Sequence, residues 1–475
     1  MNEDLRASFS RLLGLKGYTE DAAAMAPWLT DWRGRYHGAA AAMVSPGSTR
    51  DVAATVKLCA EHGIAIVPQG GNSGMVAGAT PDQSGKAVLL SLRRMDMVDR
   101  SRIDEGLILC GAGVILQNLH DELAAVGRRF PLTLGGKGSA TVGGLVSTNA
   151  GGTQVLRHGT MRALVAGLEA VLPDGSVIDG TAALKKDNRG YDLQQLFVGA
   201  EGTLGIVTRA VLKTAPALID RCVAWIGLDS PHTAYRLLLF LSGRGAERLE
   251  GFEIIPGDAV AATLAHLPGA RPPLKGKHRW HVLAEWVQDR PDQAPPRALA
   301  ETLLANAIAQ GLVEDAALSS SESQAEDFWR IRDSISEAER ALGPALQHDV
   351  SVPVGRMPDF IERASRTIER DHPGTQAVAF GHLGDGNIHF HVRAPGDVEP
   401  EHWYASEGGA ISAQVYDMVD DYGGSISAEH GIGQAKLGEL ARLTPPARLD
   451  ALVAIKRALD PKNIMNPGKI LSLHD

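Results

Sequence analysis

The chain has 475 residues, of which 44% are hydrophobic, 22% charged and 5% aromatic, with 47 basic against 56 acidic side chains and a net charge of -9. At about 100–200 residues per domain, this length allows about two to four domains with proper cores, and the composition excludes collagen, coiled coil and disorder. The acidic balance, with no basic stripe interleaved with aromatics, argues against a nucleic-acid partner.

The 53 glycines follow no G-X-Y period, so they must serve turns, close packing or ligand loops. Cys59, Cys110 and Cys222 are far apart, odd in number and form no CxxC pair, which points to free buried thiols in a reducing compartment. The opening Met1-Asn2-Glu3-Asp4 has neither a basic nor an apolar leader pattern, and no apolar run approaches about 18 residues. A cytoplasmic, soluble protein is expected.

From Ala39 onward short strands alternate with helices. Ser48 or Thr49 caps a helix along which Val52, Val56 and Cys59 recur at helical spacing, and Gly63 ends it. Ile64–Val67 reads as a buried strand opening into Pro68-Gln69-Gly70-Gly71-Asn72-Ser73-Gly74. Gly106–Cys110 is a second strand, and Leu116, Leu119, His120 and Leu123 line one face of a helix closing at Gly127. Between Pro131 and Gly159 eight of 29 residues are glycine, which marks the main loop system. Val165–Val171 and Val177–Asp179 form a hairpin around Asp174-Gly175, and Gly205–Thr208 is a further strand. Past Pro216 glycine thins and tryptophans follow, so a boundary falls near 219. The tail carries a helix over about 446–459 and returns toward the first domain.

Gly111-x-Gly113 has Leu116 where a dinucleotide fingerprint needs its third glycine, and neither a Walker A run nor a GxSxG elbow is present. The loop 68–78 instead offers successive backbone N–H groups to a pyrophosphate. A second cradle over 131–152 implies a long ligand with a phosphate part and a ring. Downstream, His382, His389 and His391 fall within ten residues, on strands expected over 378–383 and 388–393 with a turn at 384–387. That turn pairs His382 with His389 at a Cβ separation of about 4.5–5.5 Å, close enough to share a metal, with His391 on the same face. Ala428-Glu429-His430-Gly431 offers a further ligand and a base. Arg332 and Ser336 stand four apart on a helix expected from near Glu326, where an arginine fork suits a carboxylate.

These segments, together with Trp32-Arg33-Gly34, KKDNRGYDLQQLFVGAEGTLGIVT (185–208), SAEHGIG (427–433) and DPKNIMNPGK (460–469), resemble the FAD-linked oxidase family of the vanillyl-alcohol oxidase and p-cresol methylhydroxylase superfamily. The likeness leans toward its D-2-hydroxyglutarate and D-lactate dehydrogenase members and spans about 30–470. It implies an α+β fold: a two-part FAD-binding domain of the p-cresol methylhydroxylase type, an antiparallel-sheet (ferredoxin-like) substrate domain, and a C-terminal helical segment returning to the flavin. The expected divisions are 1–38, 39–218, 219–424 and 425–475.

The resemblance implies FAD contacts at Gln69, Gly70, Gly71, Asn72, Ser73, Gly74 and Gly78, and at Pro131, Leu134, Gly138, Ser139, Gly143, Ser147, Asn149 and Gly152. Glu201, Gly205, Ile206 and Asn466 complete that set. Family members with covalent flavin place a histidine where this chain has Asn72, so the FAD is expected to be non-covalent. Zinc, or another divalent metal, is implied at His382, His389 and Glu429. His430 matches the catalytic base and Arg332 the carboxylate clamp, with Ser336, Gln347 and His391 also at the substrate. Gln347 stands where the D-2-hydroxyglutarate dehydrogenases carry lysine, which opens D-lactate or another monocarboxylic D-2-hydroxy acid as the alternative substrate. A more distant alternative is a transferase like the flavin-dependent ether-lipid synthase, although the histidine run of that enzyme is absent. An electron-transfer flavoprotein or a quinone as acceptor, and a homodimer, are implied by family alone.

Overall fold

The computed structural model describes residues 1, 3–396 and 398–473, which form two compact units. Unit 1 comprises Met1–Gly152, Gly159–Ala215 and the chain from Glu429 onward; unit 2 comprises Thr153–His158 and Pro216–Ala428.

Unit 1 holds two main sheets. In the first, strand Val88–Ser91 lies between Ala42–Val44 and Ile66–Gln69 and is parallel to both. Parallel neighbours need a crossover, and helix Thr49–His62 supplies it between the outer two. Ser48 caps that helix by accepting from Asp51 N, Gly63 ends it with φ 63, and Val52, Val56 and Cys59 are fully buried. The second sheet is antiparallel, in the order Val98–Asp99, Leu107–Gly111, Ile206–Lys213, Val165–Val171, Val177–Asp179. All three cysteines are buried, and burial lifts the thiols of Cys59 and Cys110 to about 12 and that of Cys222 to about 11, so they remain protonated and inert.

The C-terminal segment closes unit 1. After helix Pro446–Leu459 the chain lies alongside Ile66: Ile66 N donates to Ile464 O at 2.7 Å and Asn466 N donates to Ile66 O at 2.8 Å. Lys456 anchors this return. Its buried ammonium donates to Asp460 (2.5 Å), Thr203 O (2.8 Å) and Met465 O (2.8 Å).

Unit 2 is built on a seven-stranded antiparallel sheet. Its order is Asp315–Leu318, Asp220–Leu228, Trp280–Gln288, Leu249–Pro256, Gln376–His382, Asn387–Arg393, Ala345–Ser351. Because successive side chains alternate faces, Phe390 points to one side, where it meets Phe360 of helix Met357–Asp371 edge-on. Val378 and Phe380 point to the other, into a core with Trp225, Leu283, Phe328 and Ile331. Residues 153–158 also belong here: Arg157 pairs with Glu250 (3.0 Å) and Asp289 (2.6 Å).

Removing one partner of a buried ion pair leaves the other charge uncompensated, at a cost of about 3–5 kcal/mol. Lys456→Met is therefore expected to lower stability by about that amount, read as a drop in the urea midpoint at constant slope.

Candidate active site

Unit 1 brings the two glycine-rich loops into contact. A Cβ on Gly71 would stand 1.7 Å from Ser139 O, and one on Gly70 would stand 2.0 Å from Thr141 Oγ1. Only glycine permits that approach. Gln69 Nε2 donates to the carbonyls of Trp28 and Ala79, both at 2.9 Å, and Asn72 Nδ2 donates to Thr30 O at 2.8 Å. Asn72, Asn149, Glu201 and Asn466 all have left-handed backbones, with φ of 53, 49, 48 and 42. Strained residues of this kind concentrate at ligand sites. Gln69 Oε1, Thr141 Oγ1 and Asn466 Oδ1 are buried with no hydrogen-bond partner among the described residues. Such groups call for a ligand's polar atoms, and Gly74 and Gly138 face open space where its backbone contacts would lie. The donor and acceptor set fits a dinucleotide flavin.

The other expected cofactor residues are largely structural in their visible contacts. Gly78, Gly143 and Gly152 press against Glu201, Ala112 and Thr133, and Ser73 faces Gly136. Pro131 is buried, Leu134 packs on the core, and Ser147 O accepts from Glu201 N at 2.7 Å. Asn149 Oδ1 accepts from Arg162 N at 2.9 Å. Gly205 abuts Val171 O, and Ile206 is a core side chain. The Glu201 carboxylate accepts from Ile432 N (2.7 Å) and Gly433 N (2.9 Å), so it fixes the turn just beyond Glu429 and His430. Burial pushes its pKa up, against the pull of those N–H groups, Lys436 and Lys469.

In unit 2 the strand register sorts the remaining candidates onto one face. Phe380 opposes His389, which opposes Asp349; Val378 opposes His391, which opposes Gln347; and His382 opposes both Glu253 and Asn387. Opposed residues share a face, so a row of polar groups continues the apolar core of Val378 and Phe380. Arg332, on helix Glu322–Asp333, reaches this row. Its Nε and Nη2 donate to Glu253 Oε2 at 2.8 and 2.7 Å, and His382 Nδ1 lies 2.6 Å from Glu253 Oε1. Burial opposes ionisation of Glu253, but the charges of Arg332 and His382 outweigh it and hold the carboxyl well below its usual range. The rings of His382 and His389 lie 5.5 Å apart, edge to face. Loss of hydration, reinforced by the charges of Arg332 and His382, pushes His389 well below the ordinary histidine pKa. A neutral imidazole, the form toward which His389 is pushed, is the one that binds a metal, and zinc takes imidazole nitrogen among its ligands.

Two comparisons settle the family. A model of the FAD binding domain matches residues 40–181, and one of the C-terminal domain of FAD linked oxidases matches 219–470. The chain belongs to the FAD-linked oxidase family. It is an FAD-linked oxidoreductase. The mitochondrial D-2-hydroxyglutarate dehydrogenase of Arabidopsis thaliana is 36% identical over 98% of this chain and 80% of its own length. A putative mitochondrial D-lactate dehydrogenase of Schizosaccharomyces pombe is 33% identical over 94% and 85%. Among solved structures, p-cresol methylhydroxylase with substrate bound aligns over 99% of this chain and 97% of its own, with a TM-score of 0.76 at 16% identity, a likeness of fold. No helix among the described residues is long and apolar enough to cross a membrane.

Within this family frame, two local expectations need correction. The turn after His382 spans Leu383–Gly386 rather than 384–387, so His382 opposes Asn387 and His389 opposes Phe380. Asp385 N and Gly386 N both bond back to His382 O and close the turn one residue earlier. Moving the register by two residues preserves the face, so His382 and His389 still meet, diagonally. The helix expected from Glu326 through Ser336 begins at Glu322 and stops at Asp333, and a second helix, Ile335–Ala341, carries Ser336. Ser334 sits at the junction and caps both.

Three residues escaped the sequence reading. Glu253 is the one acid in an otherwise apolar run, Phe252-Glu253-Ile254-Ile255, and that isolation was its signal. Asn387 donates to Asp349 (2.9 Å) and Val350 O (3.0 Å), which leaves its buried Oδ1 without a partner among the described residues. Thr141 gave no signal, because only the loop contact reveals its hydroxyl.

Gly71→Ala forces the loops apart, an overpacking cost of about 1–3 kcal/mol. The expected result is FAD binding weaker by about five- to 150-fold, measured as visible flavin absorbance per mole of purified protein.

Proposed function

We propose that the protein is an FAD-dependent, divalent-metal-assisted dehydrogenase. Its substrate is a D-2-hydroxy acid, D-2-hydroxyglutarate foremost, and its product the 2-oxo acid. The observation that carries this reading is the polar face of unit 2, where two metal-competent histidines adjoin a buried arginine. Relatives named as D-2-hydroxyglutarate dehydrogenases support the substrate class.

FAD, when bound, accepts a hydride from substrate C2, and a divalent cation, when bound, acidifies the 2-hydroxyl. His382 and His389 would hold that cation, with zinc the favoured ion and Glu429 the third ligand. Arg332, whose Nε and Nη2 donate to Glu253, would clamp the substrate carboxylate. His430, next in sequence after Glu429, takes the hydroxyl proton on an imidazole nitrogen. Ser336 and His391 flank the bound acid. The Gln69–Gly74 and Pro131–Gly152 loops, with Asn466, hold the flavin without a covalent bond, Asn72 being incapable of one. The electrons then leave to an acceptor other than NAD, an electron-transfer flavoprotein or a quinone.

A second reading has a specific observation behind it. Gln347 shares the polar face, and its Nε2 is buried without a partner among the described residues. A neutral donor binds a distal carboxylate less strongly than an ammonium would, which favours D-lactate or another monocarboxylic D-2-hydroxy acid.

Anaerobic addition of D-2-hydroxyglutarate and of D-lactate, with the flavin band followed, separates the two: the acid that bleaches it at lower concentration is the substrate, and no bleaching by either overturns the proposal. His430→Ala is expected to retain FAD and slow flavin reduction by about 10²–10⁴-fold; an unchanged rate removes it as the base. Gln347→Lys is expected to lower KM for D-2-hydroxyglutarate by about fivefold, since a charged hydrogen bond contributes about 1 kcal/mol more than a neutral one, with little change for D-lactate.

A further inference from the structure

Lys469 has no part in the chemistry above, yet it is only 3% exposed. An ammonium taken out of water is costly unless an anion answers it. Among the described residues it forms neither a side-chain hydrogen bond nor an ion pair. The acids that act on it are Asp82 and Glu201, and both are engaged elsewhere. Glu201 accepts from Ile432 N and Gly433 N at 2.7 and 2.9 Å, and Asp82, an exposed residue, accepts from the Ser84 hydroxyl at 2.6 Å. Burial therefore draws the Lys469 ammonium down to about 8, with the two acids only partly offsetting it.

The backbone keeps this unanswered cation in place under strain. Gly468 and Ile470, on either side of it, have left-handed φ of 72 and 59, and for a β-branched residue that conformation is an outlier. Such strain persists only where the surroundings enforce it, and it gathers at ligand sites. Ile470 N donates to Gly433 O at 3.3 Å, and Asn466 Nδ2 donates to Gly78 O at 2.9 Å and Glu201 O at 2.7 Å. The segment that carries Lys469 is thus fastened to Gly78, at the end of the first glycine loop. We propose that Lys469 is the counter-cation of the FAD pyrophosphate, a cofactor-positioning residue that lies outside both glycine loops. The inference rests on the FAD site of unit 1 and not on the metal or the substrate.

Electrostatics favours the phosphates over the ring, because the pyrophosphate carries the negative charge of oxidised FAD. Residues 68–78 and 131–152 hold one charged side chain between them, Lys137, and it is exposed. Their N–H groups offer partial charges, which leaves full neutralisation to a cation from elsewhere in the unit. Asn466, three residues before Lys469, has a buried Oδ1 without a partner among the described residues. An amide oxygen only accepts, so it suits a sugar or ribityl hydroxyl beside the phosphates. A lysine that served only to screen Glu201 would stand in an ion pair with it, and no such pair forms.

The test uses the full chain stripped of flavin and measures its affinity for FAD and riboflavin by flavin fluorescence and for ADP by competition. ADP carries the pyrophosphate without the flavin ring, and riboflavin the ring without phosphate. Lys469→Met is expected to weaken FAD and ADP alike, by about 10–150-fold, and to leave riboflavin within twofold of wild type. Lys469→Arg, which keeps the charge, is expected to recover part of the loss. FAD and ADP affinities within twofold of wild type in the Met variant, or an equal loss for riboflavin, overturn the inference. Should Lys469→Met not fold, wild type labelled with nitrogen-15 lysine decides: the Lys469 ammonium resonance moves on addition of ADP and not of riboflavin, and no movement with ADP overturns the inference. Wild type that binds none of the three refutes the cofactor site itself and the inference with it.

Discussion

The polar face of unit 2 depends on one requirement: an acid inside an apolar strand must be completely paired. Glu253 meets it with His382 and Arg332, and the sheet makes the meeting possible. Strand pairing sets Glu253 opposite His382, while Arg332 arrives from the helix whose Phe328 and Ile331 seal the same face against Trp225 and Phe380. Hydrophobic packing thus delivers the guanidinium to the carboxylate, and the carboxylate in turn orients the imidazole. The polar row is the edge of the core rather than a feature added on top of it.

Unit 1 solves a different problem with the opposite material. Its two loops carry few side chains at their contact, because the backbone at Gly70 and Gly71 has to reach Ser139 and Thr141. Close approach of two chains leaves backbone amides as the ligand-facing groups, suited to phosphate. Left-handed residues at Asn72, Asn149, Glu201 and Asn466 hold those turns in a conformation that costs about 1–3 kcal/mol each. Such strain persists only where the surroundings enforce it, and the Gln69, Asn72 and Asn466 amides supply that enforcement through bonds to Trp28, Ala79, Thr30, Gly78 and Glu201 carbonyls.

What was legible in the sequence follows from how local each signal is. The helix from Thr49 to His62 and the one from Pro446 to Leu459 are readable because caps, proline and periodicity lie within the element itself. The histidine face was readable because side-chain parity survives an error of register by two: the turn was placed one residue late, yet His382, His389 and His391 stayed together. The break at Ser334 was not readable, since Arg332 to Ser336 carries no proline or glycine to announce it. Glu253 and Thr141 depend on partners 129 and about 70 residues away, and no periodicity within a strand or loop reports a distant contact. Cofactor and family were legible through motif order, which carries long-range information that composition lacks.

The segment bearing Glu429 and His430 shows how buried charge can place a short stretch of chain. On its upstream side Ser425 exchanges both backbone hydrogen bonds with Ser351, at the end of the strand that carries Asp349 and Gln347. Downstream, the two oxygens of Glu201 hold Ile432 N and Gly433 N, and Gly433 itself comes too close to Val76 O to accept a side chain. Glu201 bears a pKa raised by burial, so holding the turn requires that its lone pairs stay engaged by those amides. The Lys456 anchor fixes the carbonyl of Thr203, two residues from Glu201, to the returning tail. The clamp at Ile432 and Gly433, with the Lys456 anchor behind it, places the turn that follows Glu429 and His430.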